Sequence, residues 1–335
     1  MKSIVFYGEL LLRLGAPNRE LLFQSPRLDV CVGGAEANVA IGLANLGHRC
    51  RMVSFVSDDA LGRAAISAVR AQNVNCESVA RVKGRMGLYF LESGATGRSS
   101  QIIYDRSGSV FATAKPEQVD WERELKDARH FHVSGITCAL GSAPASMALN
   151  AVETAKKLGV SVSFDVNYRA KLWQSRESES ARILFDMVNS ADVLFGNRTD
   201  ISKILKIEFS GSDQDSDQHA VESAFSEFPK LRCIASTKRE ILGSDDHRLE
   251  ARVDTRSSTY RSKQYSVKGI VDRIGAGDAF AAGFLDRWLV GDTAEHAAEI
   301  GVALATMKHS IFGDASLFNR TDLEAFMNDV RDVRR

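Results

Sequence analysis

Short apolar runs recur along the chain, separated by longer stretches in which apolar positions return with helical spacing. Ile4–Tyr7, Arg51–Val56, His130–Ser134, Ser161–Asp165, Val193–Phe195 and Cys233–Ser236 have the length and β-branched or aromatic content of buried strands. Between them the pattern predicts helices from near Ala35 to Gly47, from Asp58-Asp59 to Ala71, and at about 142–158, 177–189, 198–206 and 218–227. Gly47 suits the position just past a helix end, where a left-handed residue closes the last turn. The C-terminal part reads as helical over Gly277–Val290, Ala294–Lys308 and about 321–331. Strands alternating with helices predict layers of helix packed on a mainly parallel sheet, the α/β class.

Two stretches break the alternation. Leu10–Leu14 and Leu21–Phe23 read as short strands, and Met86–Glu92 and Ser99–Asp105 flank the turn Ser93–Arg98 as a hairpin. Together they predict a small sheet, built from about residues 10–30 and 84–113, projecting from a single domain that spans 1–335. The segment 210–219 carries a D-x-D-x-D spacing like the start of a calcium loop. Gln218 stands where such a loop needs Gly and Ala224 where it needs Glu, so the segment reads as a solvated loop.

Composition narrows the classes. Of 335 residues, 44% are hydrophobic and 26% charged, and 43 basic residues balance 43 acidic ones, so no global field favours nucleic acid. No apolar run approaches the ~18 residues of a membrane span, and the apolar part of the N-terminus is too short for a signal peptide. The five cysteines (31, 50, 76, 138 and 233) never form C-x-x-C and read as buried hydrophobes in a reducing compartment, which predicts a cytoplasmic protein. His130 and His132 share one face of an apolar strand but lack a third ligand, so they read as structural. No P-loop, H-E-x-x-H or G-x-S-x-G is present, and Trp121, Trp173 and Trp288 are dispersed as packing residues.

The run Asp272-Arg273-Ile274-Gly275-Ala276-Gly277-Asp278 leads into the helical pattern Ala279–Phe284. A helix start exposes unpaired N–H groups and a positive dipole end, which attract a phosphate-like anion. Gly275, Ala276 and Gly277 let the backbone approach that anion, and Asp278 stands beside it as a general base for a hydroxyl. The same residues also suit a plain Gly-rich turn with Asp278 as a helix-start residue.

These residues resemble the C-terminal signature of the ribokinase-like (PfkB) carbohydrate kinases, D-T-x-G-A-G-D before a helix, with Arg273 and Ile274 in place of Thr-x. A second signature resembles Gly33-Gly34-Ala35-Glu36-Ala37-Asn38-Val39-Ala40, running on to Leu46-Gly47. The resemblance covers nearly the whole chain in consistent order. It implies a three-layer α/β/α sandwich with a small β-sheet lid over the sugar, and a homo-oligomer, dimer or higher, through that lid. It also implies ATP and Mg2+ as cofactors, with a monovalent cation as a further candidate. The family's N-x-x-E motif resembles Asn197-Arg198-Thr199-Asp200, with Asp200 one methylene shorter and reaching the metal through water. Asn197 and Asp200 also make a reasonable helix start.

Substrate class turns on arginines. Arg106 ends the predicted hairpin and Arg169 follows the strand Ser161–Asp165, at the strand end where open α/β sheets bind ligands. Two guanidinium groups in one pocket suit a carboxylate, and a neutral hexose offers no charge for them. Tyr104-Asp105-Arg106-Ser107-Gly108-Ser109 and Asp165-Val166-Asn167-Tyr168-Arg169 resemble the 2-keto-3-deoxygluconate kinases of the family. That resemblance implies that Gly34, Tyr89, Tyr104, Arg106, Arg169 and Asp314 hold a sugar acid, with Asp278 on the reacting terminal hydroxyl. Nucleotide contacts are then expected from Asn167, Asn197, Gly275, Gly277 and the stretch Ser236-Thr237-Lys238-Arg239-Glu240, Ser236 and Lys238 foremost, which departs from the family's K-G-x-x-G pattern. The alternatives are a neutral-sugar kinase such as a fructokinase and a non-catalytic sugar-binding protein of the same fold.

Overall fold

Val, Ile and Phe runs form the central strands of the computed structural model, which describes residues 2–211 and 213–329. The main sheet runs in the order Thr259–Arg261, Asp246–Thr255, Cys233–Ile241, Val193–Phe195, Ser161–Asp165, Ala128–Ser134, Ser3–Tyr7, Cys50–Ser57 and Val74–Asn75. From Cys233–Ile241 to Val74–Asn75 every neighbour is parallel, with Ile4 opposite Cys50 and Ser163 opposite Val193. Side chains alternate across the pleat. Ile4 and Phe6 enter a core beneath the helices Ala35–Asn45, Ala276–Trp288 and Ala294–Lys308, while Val5 and Tyr7 enter one beneath Ser142–Leu158 and Glu177–Val188. This is the expected three-layer α/β/α sandwich.

Four strands make a second sheet, in the order Asp29–Gly33, Leu11–Gly15, Gly87–Glu92 and Gln101–Asp105. The hairpin after Met86 forms as expected, with Tyr89 opposite Tyr104. Leu21–Phe23 is not a strand. It lies in turns with Leu21 and Phe23 exposed, and Asp29–Gly33 pairs with Leu11–Gly15 in its place. Those apolar residues have no core to face, so their hydrophobicity misled the reading.

Two further expectations are corrected. The strand expected at Cys233–Ser236 continues to Ile241 and pairs antiparallel with Asp246–Thr255, to which Thr259–Arg261 and Tyr265–Lys268 add. Charged residues set between the apolar ones of Asp246–Thr255, such as Arg248 and Glu250, break up the apolar run. The acidic stretch expected as a loop opens the helix Asp213–Glu227; residue 212 lies outside the described residues. Carboxylates in a first turn complement the positive end of the helix dipole. Among the described residues no helix is long and apolar enough to cross a membrane.

Candidate active site

A cleft of about 720 Å³ opens where the parallel strands end, under the small sheet. Gly34, Tyr89, Tyr104, Arg106, Asn167, Arg169, Asn197, Asp200, Ser236, Gly275, Ala276, Gly277, Asp278 and Asp314 all line it. Lys238 does not. It lines a smaller neighbouring cleft of about 290 Å³, which shares Asn197 and Ser236 with the first.

Gly275 caps the helix Ala276–Trp288 with φ 78°, a left-handed conformation, and a Cβ there would run into the Asp314 backbone carbonyl. Asp278 sits in the first turn, and its Oδ2 accepts a hydrogen bond from Asn38 Nδ2 at 2.7 Å. Loss of water pushes the Asp278 carboxyl up to about 8; Asn38 opposes the shift, while Asp165, Asp314 and Glu36 add to it. Asp165, at the end of its strand, is pushed up to about 7 by burial, with Arg169 opposing and Asp200 adding to the shift. A carboxyl that titrates near neutral pH beside an anion cradle suits proton transfer.

Asn38 was not singled out in the sequence, nor was Glu36. The buried Glu36 accepts from the Ser134 N–H at 2.9 Å, the Ser134 hydroxyl at 2.7 Å and the Thr137 hydroxyl at 2.8 Å. Those bonds fasten the helix bearing Asn38 to the end of the strand Ala128–Ser134. Asn38 in turn sets the Asp278 carboxylate.

A buried charge cluster joins the small sheet to the cradle. Arg13, on Leu11–Gly15, lies 2.6 Å from Asp272 and 2.8 Å from Asp314, and Tyr89 donates to the other Asp314 oxygen at 2.6 Å. Lys308, fully buried, donates to the Asp272 carbonyl at 3.3 Å and the Ile311 carbonyl at 3.1 Å. The expected sugar contacts Asp314 and Tyr89 are therefore already bonded to protein. Arg13 escaped the sequence reading, although a lone charge inside Leu11-Leu12-Arg13-Leu14 was its signal.

Arg106 is buried, and its Nε donates to Glu9 at 2.6 Å, while the Ser109 hydroxyl also donates to Glu9. Its terminal nitrogens have no protein partner among the described residues, and the residue lines the cleft. Arg169 is exposed and donates to the Tyr168 carbonyl at 3.1 Å, its one hydrogen bond among the described residues. Asn197 and Asp200 form a capping box: Asn197 accepts from the N–H groups of Thr199 and Asp200 at 2.8 and 3.2 Å, and Asp200 accepts from the Asn197 N–H at 2.9 Å. Both border the cleft while capping. His130 and His132 are buried against the Ser161 and Ser163 hydroxyls at 2.7 Å. Among the described residues no three metal-ligating side chains cluster.

Cradle, carboxyl and strand-end cleft together belong to an enzyme of phosphoryl transfer. The model of the pfkB family of carbohydrate kinases matches residues 1–318, and the chain belongs to that family. It is 29% identical over 323 residues to the 2-dehydro-3-deoxygalactonokinase of Haloferax volcanii, covering 96% of this chain and 95% of that one. It is similar in structure to the 2-dehydro-3-deoxygluconokinase of Thermotoga maritima, with a TM-score of 0.92 and 35% identity over 98% of this chain and 100% of that one. An Escherichia coli structure that contains ATP and Mg2+ shares the fold at 20% identity, with a TM-score of 0.83 over 98% of this chain and 100% of that one.

Proposed function

We propose that this carbohydrate kinase transfers the γ-phosphoryl group of ATP to the terminal hydroxyl of a six-carbon 2-keto-3-deoxy sugar acid, 2-keto-3-deoxygluconate foremost. One observation carries the reading: a carboxyl held by Asn38 at a glycine-lined helix start shares its cleft with the guanidinium groups of Arg106 and Arg169. The two relatives named above act on sugar acids of this class, which supports the charge argument.

In the proposed mechanism Arg106 and Arg169 bind the sugar's carboxylate, and Tyr104 and Gly34, which line the same cleft, contact the sugar. Glu9, by fixing the Arg106 Nε, turns its terminal nitrogens toward the substrate. The carboxylate of Asp278 accepts the proton of the terminal hydroxyl as that oxygen attacks the phosphorus, and Asn38 keeps it aimed. The N–H groups at Gly275–Gly277 and the helix dipole stabilise the negative charge on the phosphoryl oxygens. ATP supplies the phosphoryl group and Mg2+ offsets its charge. Asp165 and Asp200, too few to form a metal cage alone, suit an ion that arrives on the nucleotide and keeps its waters. Asn167, Asn197 and Ser236 border the nucleotide side, whereas Lys238 would reach it only from the neighbouring cleft. A monovalent cation remains a further candidate cofactor, and Lys308 already places an ammonium on the Asp272 and Ile311 carbonyls.

The small sheet serves as a lid in this reading. Val30 and Ile103, both more than half exposed on it, supply apolar surface for a dimer contact. All five cysteines are free and four are buried, in keeping with a cytoplasmic setting. The test is substrate discrimination in Arg106→Met and Arg169→Met. Each is expected to lower kcat/KM for the sugar acid about ten- to a hundredfold, as loss of a charge-assisted hydrogen bond implies, with little change for a neutral ketose. Equal losses for both substrates would remove the sugar-acid assignment.

A further inference from the structure

We infer that Arg239 and Arg273 form a guanidinium clamp that receives the polyphosphate of the nucleotide; the inference rests on the kinase reading above. Both side chains line the main cleft together with Gly275–Gly277. Neither guanidinium has a hydrogen bond or ion pair to protein among the described residues. Of the other arginines that line the cleft, Arg106 is held by Glu9 and Arg169 donates to the Tyr168 carbonyl. The cleft's carboxylates are engaged elsewhere too, since Asp314 is bonded to Arg13 and Tyr89, Asp200 to the Asn197 N–H and Asp278 to Asn38.

The two backbones are firmly placed. Arg239 lies on Cys233–Ile241 beyond the last parallel pair, Phe195 opposite Ala235, where the strand continues in antiparallel pairing with Leu249 opposite Arg239. Arg273 follows Asp272, whose carboxylate is fixed by Arg13 and accepts the Ile274 N–H at 3.0 Å. The guanidinium groups are near enough to repel: Arg273 works against the charged form of Arg239, after the larger effect of burial. Both also act with burial against protonation of His247. An arginine stays charged in any case. Two guanidinium groups without protein partners among the described residues, Arg239 exposed and Arg273 half-buried, stand beside an anion cradle, and the fork of each matches phosphate oxygens. A single carboxylate would leave one of them unanswered, and Arg106 and Arg169 already supply the sugar's end.

Arg239→Met, Arg273→Met and the double variant test this by calorimetric binding of ATP with Mg2+, of tripolyphosphate and of adenosine, without turnover. Each single variant is expected to weaken ATP and tripolyphosphate about ten- to a hundredfold and adenosine less than twofold, with KM for the sugar acid unchanged. The dependence of ATP affinity on salt should flatten, and the thermal midpoint should hold or rise as the repulsion is relieved. ATP and tripolyphosphate affinities within twofold of wild type in the double variant would overturn the clamp. So would a loss confined to the sugar acid. Weakened ATP binding beside a wild type that phosphorylates no sugar acid would keep the clamp and remove the substrate assignment.

Discussion

Asp278→Asn is the substitution whose consequences the site defines most fully. Asn has the shape of Asp, and its amide oxygen can still accept the 2.7 Å bond from Asn38 Nδ2. What it cannot do is take a proton, so kcat should fall by about 10²–10⁴-fold. In the wild type, kcat/KM should rise with pH along a limb set by the Asp278 carboxyl near about 8, and the variant should lack that limb. Stability should respond in the opposite direction. The folded-state value of about 8 lies above the ordinary 3.8, so between these pH values the folded protein keeps a proton that the unfolded chain gives up. Folding stability therefore falls as pH rises through that window, by up to about 1.4 kcal/mol per unit, and the full cost is present above about 8. Asn carries no such cost. Thermal unfolding of the ligand-free proteins should show the variant gaining on the wild type from pH 5 to pH 8. Asp165, at about 7, titrates in both proteins, so the difference between them isolates Asp278. A variant that keeps more than about a tenth of wild-type kcat, or a stability gap that does not change with pH, would refute the reasoning.

Gly275→Ala should weaken ATP binding and lower the thermal midpoint, because its φ of 78° and the Asp314 carbonyl both oppose a Cβ; an unchanged KM for ATP would count against the cradle. Arg13→Met leaves Asp272 and Asp314 buried beside an apolar side chain and should cost about 3–5 kcal/mol in urea unfolding. A loss below about 1 kcal/mol would mean that the cluster is not a fastening between small sheet and cradle.

The central strands were legible because each carries its own signal. Val193–Phe195 is a fully buried apolar run and Ser161–Asp165 sets Val162 and Phe164 between small polar residues, and the bounds of both agree with expectation. The hairpin after Cys233 was hidden because its strands set charged residues such as Lys238, Arg239, Arg248 and Glu250 among the apolar ones, so no run stands out. The cradle was readable for a similar local reason: glycines and an aspartate at a helix start state their chemistry within a few residues. The side chains that orient it were not. Arg13 meets Asp314 across 301 residues of chain, and Asn38 meets Asp278 across 240. A sequence can mark a charge inside an apolar strand, but the partner that makes it tolerable is chosen by the fold.

ADP release by the wild-type protein, measured with Mg2+ and ATP across a panel of neutral sugars and six-carbon sugar acids, tests the central claim most directly. The account predicts turnover with 2-keto-3-deoxygluconate or its galactonate epimer at a kcat/KM well above that of any neutral ketose. Turnover of fructose or ribose at equal or higher kcat/KM, or no ADP release with any sugar acid, would contradict it.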